Sequence, residues 1–167
     1  MKEEFLPINI RKAADADSLL ICDMIFDIWI NEYEFKVKRE DYPDLRHIES
    51  YYQNKGGQFW VAVADDKIIG TIACDRLNED QYILKRMFVQ KTVRGQGIAQ
   101  RLLGRVLSHL PPQSSIYLST KEGEALAAKA FYLKSGFSIV AKDELPANFP
   151  FFYEDDLFMK KTLGTMP

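Results

Sequence analysis

The sequence predicts an α/β (α+β) fold: a mixed, mostly antiparallel sheet of about seven strands flanked by about four helices. Three observations carry this. Between Phe59 and Val89, three strand-forming runs follow one another across short polar turns, which makes an antiparallel meander. The third run leads through a basic, glycine-bearing turn into apolar residues at Ile98, Leu102, Leu103, Val106 and Leu107, the spacing of an amphipathic helix. That helix gives way to another strand, Ile116 to Ser119, and a strand–helix–strand passage usually makes its two strands parallel neighbours.

In order, Ile8-Asn9-Ile10-Arg11 alternates as a first strand does. Asp15 stands in N-cap position before a helix that runs to about Glu34. Ile21, Met24, Ile25 and Ile28 form one apolar stripe on it, and Phe26, Trp29, Ile30 and Tyr33 form a second, offset stripe. The second stripe is either further core or the lining of a substrate groove or dimer contact. Trp29 and Tyr33 are its candidates for bordering an acceptor. Pro43-Asp44 starts another helix, which carries Leu45, Ile48, Tyr51 and Tyr52 to a stop at Gly56-Gly57. The strands Phe59–Ala64 and Ile68–Cys74 are joined at Asp65-Asp66-Lys67 as a hairpin. Asn78-Glu79-Asp80 then turns the chain into Tyr82–Val89. Pro111-Pro112 ends the helix after Gly97. A further helix covers about Glu122 to Ser135 with Gly136 as its stop, and Phe137–Val140 and Phe152–Met159 supply the last two strands.

The 167 residues read as one domain, 1–167, with enough chain for a sizeable core. An apolar fraction of 47% beside 28% charged residues is ordinary for a soluble globular protein. Lysine and arginine total 22 against 24 acidic residues, a balance that argues against nucleic acid as the main partner. No apolar stretch approaches the roughly 20 residues needed to span a bilayer. Met1-Lys2-Glu3-Glu4 has no signal-peptide pattern, so the expectation is a cytoplasmic protein without membrane contact, as monomer or homodimer. Cys22 and Cys74 form no Cys-x-x-Cys pair, and with only His47 and His109 no metal site is expected.

The most informative stretch is the turn after Val89. A strand, a glycine-bearing turn and a helix leave several backbone N–H groups unpaired at a helix N-terminus, where the dipole favours negative charge. Gly95 and Gly97 let a ligand approach the backbone closely, and Arg94 adds forked donors. Together these suit a phosphate or pyrophosphate. A Walker A loop would need Gly-Lys-Ser/Thr here, which is missing. A dinucleotide fingerprint would need a third glycine where Gln100 stands.

What fits is Arg-x-x-Gly-x-Ala, read as Arg94-Gly95-Gln96-Gly97-Ile98-Ala99. This stretch resembles the acyl-CoA signature of the Gcn5-related N-acetyltransferases, the GNAT family. Phe131-Tyr132-Leu133-Lys134-Ser135-Gly136-Phe137 strengthens the resemblance, which extends over the order of elements from Ile8 to Lys160. It implies a central sheet that splays at the fourth and fifth strands to admit the pantetheine arm of acetyl-CoA. The backbone of Phe88 and Val89 would pair with that arm, and the N–H groups of Gly95, Gln96, Gly97, Ile98 and Ala99 would hold the pyrophosphate. No metal would be needed. It further implies direct attack of a primary amine on the thioester in a ternary complex, with a backbone N–H near Phe88 or Val89 for the oxyanion. Tyr132 matches the position of the general acid, and Lys134 is either a contact to the adenosine phosphate or a solvated lysine.

Two departures from the family pattern stand out. Many relatives carry a glutamate as base where this chain has Ile83, and isoleucine takes no proton. A water chain ending at Asp75, Glu79, Glu32 or Glu34 would have to serve. Ala125 stands where an asparagine often binds the pantetheine region. The expected activity is therefore N-acetyl transfer from acetyl-CoA to a small-molecule or peptide amine. The competing class is a non-catalytic acyl-CoA-binding or regulatory module, and a scaffold with an empty cleft is a third.

Overall fold

A computed structural model describes residues 7–121, 126–151 and 155–164. Among them are seven strands, hydrogen-bonded in the order β1-β2-β3-β4-β5-β7-β6, and four α-helices. The strands are β1 (Asn9–Lys12), β2 (Gln58–Ala64), β3 (Lys67–Asn78), β4 (Gln81–Val89), β5 (Ser115–Thr120), β6 (Ser138–Val140) and β7 (Leu157–Thr162). The helices are α1 (Ser18–Asp27), α2 (Ile48–Tyr51), α3 (Ile98–His109) and α4 (Leu126–Lys134). Expected and observed elements match in kind and order. The chain divides into two compact units, and β3 and β4 each run through both.

The first unit comprises Met1–Asp75 and Lys85–His109. β1 and β2 pair antiparallel from Asn9↔Val63 to Lys12↔Trp60, and β2 and β3 from Gln58↔Cys74 to Ala64↔Lys67. The hairpin between β2 and β3 turns on two residues alone, Asp65 and Asp66, with φ of 51° and 60°. Two consecutive left-handed residues define the turn whose twist matches that of the flanking strands. Ile21, Ile25, Leu45, Ile48, Phe59 and Val61 form the fully buried centre of this unit, with Trp29 packed among them. α3 lays Ile98, Leu102, Leu103 and Val106 inward. Gly70 on β3 permits that seating, since a Cβ there would come within 3.1 Å of Leu102 and 3.3 Å of Ile98. Both cysteines are free and buried in this unit.

Three expectations change here. Asp15 does not cap the first helix. Its carboxylate accepts the N–H of Glu49 at 3.0 Å while Glu49 accepts the N–H of Asp15 at 2.9 Å, so it caps α2 across the fold. Asp17 is the N-cap residue of α1 but makes no side-chain cap bond there; its carboxylate instead accepts the N–H of Ala14 at 2.9 Å and closes the 3-10 turn Asp15–Asp17 that leads into the helix. The first helix does continue to Glu32, but its last five residues, Ile28–Glu32, form a π-turn closed by Tyr33 N–H to the Ile28 carbonyl at 3.2 Å. The second helix breaks into short turns, Pro43–Leu45, α2 and Gln53–Lys55, before Gly56 ends it at φ 88°.

The second unit comprises Arg76–Leu84 and Leu110–Pro167. β4 enters it parallel to β5 over three pairs, Gln81↔Ser115, Tyr82↔Ile116 and Ile83↔Tyr117. β5 and β6 both pair antiparallel with β7. Ile83, Tyr117, Phe149 and Phe158 make its core cluster. α4 stops at Gly136, whose φ of 93° suits a residue without Cβ. β7 begins at Leu157 and reaches Thr162, later than expected. Phe152, the expected start of that strand, lies outside the described residues, as do Glu122 to Ala125 at the expected start of the last helix. Among the described residues no helix is long and apolar enough to cross a membrane.

Candidate active site

Within the first unit, β4 ends at Val89 and is followed by a single turn, Lys91–Val93, before Arg94. The N–H of Gln90 binds the Ile69 carbonyl at 2.8 Å, which fixes where the strand leaves β3. Gly95 and Gly97 both adopt left-handed backbone, with φ of 84° and 80°. A Cβ at Gly95 would meet nothing within 4 Å, and one at Gly97 only the Gln100 side chain at 3.9 Å. The space that a Cβ would fill at either glycine is therefore open. The first bond of α3 joins the Arg101 N–H to the Gly97 carbonyl at 3.2 Å, so the N–H groups of Ile98, Ala99 and Gln100 precede it. Ile98 is buried and anchors the helix start, while Gln96 is exposed and Ala99 half-buried. This open, N–H-rich helix start is the arrangement that accepts phosphate.

The forked donors of Arg94, expected at a phosphate, are taken up within the protein. Its Nε donates to the Val89 carbonyl at 2.9 Å, and its Nη1 and Nη2 donate to the two carboxylate oxygens of Glu32 at 2.7 and 3.0 Å. The guanidinium is thus bound on three sides within the protein.

Earlier on the same strand, Arg86 takes φ of 56° in the middle of β4. Left-handed backbone is uncommon for an arginine within a strand. Its carbonyl accepts from Thr71 Oγ1 at 2.7 Å, and its guanidinium grips Asp44 through Nε at 3.0 Å and Nη2 at 3.1 Å. The same cation lies over the rings of Trp29 and Tyr42, at 5.4 and 5.5 Å. Asp44 also accepts from the Tyr52 hydroxyl at 2.5 Å. Burial pushes the Tyr52 phenol well above its ordinary value, with Arg86 opposing that shift. Arg86 itself is raised, since Tyr52 and Asp44 together outweigh its loss of hydration. In sequence, Lys85 and Arg86 are simply neighbours whose side chains alternate across a strand. In the structure Lys85 pairs with Asp75 at 2.6 Å.

Of the acceptor-side candidates, Trp29 is buried in an aromatic cluster with Phe26, Tyr42 and Phe88, the last at 5.6 Å edge to face. Tyr33 is 42% exposed and stacks on Phe35. Of the possible base carboxylates, Asp75 and Glu32 are engaged in ion pairs, and Ile83 is buried at the position it occupies in the strand.

In the second unit, Tyr132 on α4 is 7% exposed and packs edge-on against Phe131 and Phe137. Burial pushes its phenol above the ordinary tyrosine value. Its hydroxyl makes no hydrogen bond among the described residues. The chain matches the acetyltransferase (GNAT) family over residues 22–137, a stretch that includes both the glycine turn and Tyr132.

It belongs to that family.

The GNAT family expected from Arg94–Ala99 and Phe131–Phe137 is thus the one found. Relatives include the N-acetylaspartate synthetase of Xenopus tropicalis, 40% identical over 101 residues, which are 58% of this chain and 37% of that one. Human N-acetyltransferase 8B is 33% identical over 106 residues, covering 59% of this chain and 45% of that one. The chain spans less than half the length of these two relatives. A GNAT acetyltransferase of Staphylococcus aureus Mu50 superposes with a TM-score of 0.86 and 34% identity, covering 94% of this chain and 99% of that one.

Proposed function

We propose that this GNAT protein transfers an acetyl group from acetyl-CoA to a primary amine of a small-molecule or peptide acceptor, by direct attack in a ternary complex. The supporting observation is the turn from Val89 to Ile98, with two left-handed glycines open to the outside at the start of a twelve-residue helix. In this reading the N–H groups of Gly95 through Ala99 bind the pyrophosphate, and the backbone of Phe88 and Val89 aligns the pantetheine arm. A backbone N–H at Phe88 or Val89 steadies the oxyanion as it forms. Tyr132 gives its proton to the departing thiolate, as a phenol that is protonated at neutral pH can. The amine must arrive neutral, and no carboxylate on β4 removes its proton. A relative named for the synthesis of N-acetylaspartate supports a small amine as acceptor.

Acetyl-CoA should raise the melting temperature without added metal, because only the folded turn holds the pyrophosphate. Gly97→Asp should weaken acetyl-CoA binding by about 10- to 100-fold. It forces a side chain into left-handed backbone, at roughly 1–2 kcal/mol, and sets a carboxylate where phosphate oxygens approach. Calorimetric titration of the two proteins decides. Equal affinities would remove the pyrophosphate from this turn.

Tyr33 is the residue of the second stripe we assign to the acceptor side, since its ring is half exposed while Trp29 lies in the core. In Tyr33→Ala the acceptor KM should rise about threefold or more, the scale of one partly exposed ring contact, with the acetyl-CoA KM little changed. The reverse pattern in steady-state kinetics would return Tyr33 to core or cofactor packing.

A further inference from the structure

We propose that Glu32 is a positioning residue of the acetyl-CoA cradle: through Arg94 it ties the end of β4 and the glycine turn to the π-turn of the first helix. This rests on the cradle reading above. The arginine of the motif invites assignment as a phosphate ligand, yet its three anchoring bonds all go to protein, two to Glu32 and one to the Val89 carbonyl. Glu32 is the more buried of the two, with its side chain 20% exposed against 42% for Arg94.

The backbone places Glu32 for this contact. Each residue of an α-helix advances the side-chain direction by about 100°. The wider π-turn over Ile28–Glu32 therefore rephases the end of the helix. Glu34 follows at φ 57°, left-handed without being glycine, and the Phe35 N–H closes back on the Trp29 carbonyl at 2.9 Å. The same π-turn thus supplies Trp29 to the core and Glu32 to Arg94.

Two consequences follow for binding. Glu32 cancels the charge of Arg94, so attraction for phosphate is left to the backbone N–H groups and the α3 dipole. Any shift of the first helix also reaches the Val89 carbonyl through one guanidinium. The two possible roles of Arg94 then differ in sign. A phosphate ligand would compete for phosphate against Glu32, so E32Q would tighten acetyl-CoA binding. A staple needs Glu32, so E32Q must loosen it.

The test is calorimetric titration of acetyl-CoA into the parent, E32Q, R94Q, R94K and the E32Q/R94Q double variant, with backbone hydrogen exchange over residues 88–97 followed without ligand. Each single variant should bind about three- to tenfold more weakly, the range for a forked, partly exposed pair. R94K keeps the charge but loses the fork, so it should fall with R94Q. The double variant should lose no more than either single one, because all remove the same contact. Exchange should quicken in every variant. Parent-like or tighter binding by E32Q, or additive losses in the double variant, would overturn the proposal. If the parent itself fails to bind acetyl-CoA, the cradle reading falls, and the staple is judged by exchange alone: unchanged rates in R94K would end it. Should E32Q not fold, as judged by circular dichroism, R94K against R94Q carries the comparison, and parent-like binding by R94K overturns the proposal.

Discussion

Tyr132→Phe should lower kcat by roughly 10²–10⁴-fold, the usual worth of a positioned proton, while leaving acetyl-CoA affinity and folding stability close to those of the parent. The substitution deletes one hydroxyl and keeps the ring, so the edge contacts to Phe131 and Phe137 survive. Because that hydroxyl has no hydrogen-bond partner among the described residues, losing it strands none of their polar groups. A fall in rate would then report chemistry rather than packing. Burial raises the phenol above its ordinary value of about 10. A raised acid keeps its proton to higher pH, so no alkaline loss of kcat below about pH 10 should trace to Tyr132. Single-turnover rates settle the matter, since product release can mask the chemical step in kcat. A full single-turnover rate in a folded, acetyl-CoA-binding variant would strip Tyr132 of the role and leave water as the proton source.

The largest expected effect on stability belongs to Asp44→Ala. Asp44 holds Arg86 by two bonds and the Tyr52 hydroxyl by a third, and both charged side chains are mostly buried, at 16% and 14% exposed. Removing the carboxylate leaves a cation in the aromatic cluster with no counter-charge. Breaking such a pair from one side costs about 3–5 kcal/mol. Two features sharpen the effect here. Arg86 holds a left-handed backbone that its side-chain anchor helps to stabilise, and Trp29, Tyr42 and the Tyr52 hydroxyl would have to satisfy the guanidinium. Tyr52→Phe, which removes only one charge-assisted bond, should cost about 1.5–3 kcal/mol. Urea unfolding of the three proteins gives both numbers. A loss below about 1 kcal/mol for Asp44→Ala would mean that water already screens the pair.

What the sequence made legible was local. Period-two alternation, the Asp65-Asp66 turn and the spacing from Ile98 to Leu107 each involve residues close in the chain, and each element appeared where these signals put it. The glycine turn was legible for the same reason, since its chemistry lies in a few consecutive backbone groups. The contacts that lock the site are of another kind. Arg86 meets Asp44 across 42 residues and Arg94 meets Glu32 across 62. No periodicity announces such pairs, because a charge on a polar face reads the same whether it meets a partner or water. The second apolar stripe was legible as a stripe, but its division between core and surface was hidden. The π-turn turns Trp29 inward and leaves Tyr33 half exposed, and nothing in Ile28–Glu32 distinguishes a π-turn from ordinary helix.

The two cysteines bear on how the proposed reaction can be watched. Thiol–disulfide exchange proceeds through the thiolate. Burial pushes the Cys74 thiol up to about 12 and raises that of Cys22, whose Sγ sits 3.6 Å from the Leu45 carbonyl. Neither sulfur is poised to react at neutral pH, whereas each turnover would release one free, solvated thiol on CoA. A disulfide dye such as Ellman's reagent would therefore count product against a silent protein. For the same reason, the dye, itself a disulfide, would find no ready protein thiolate to exchange with.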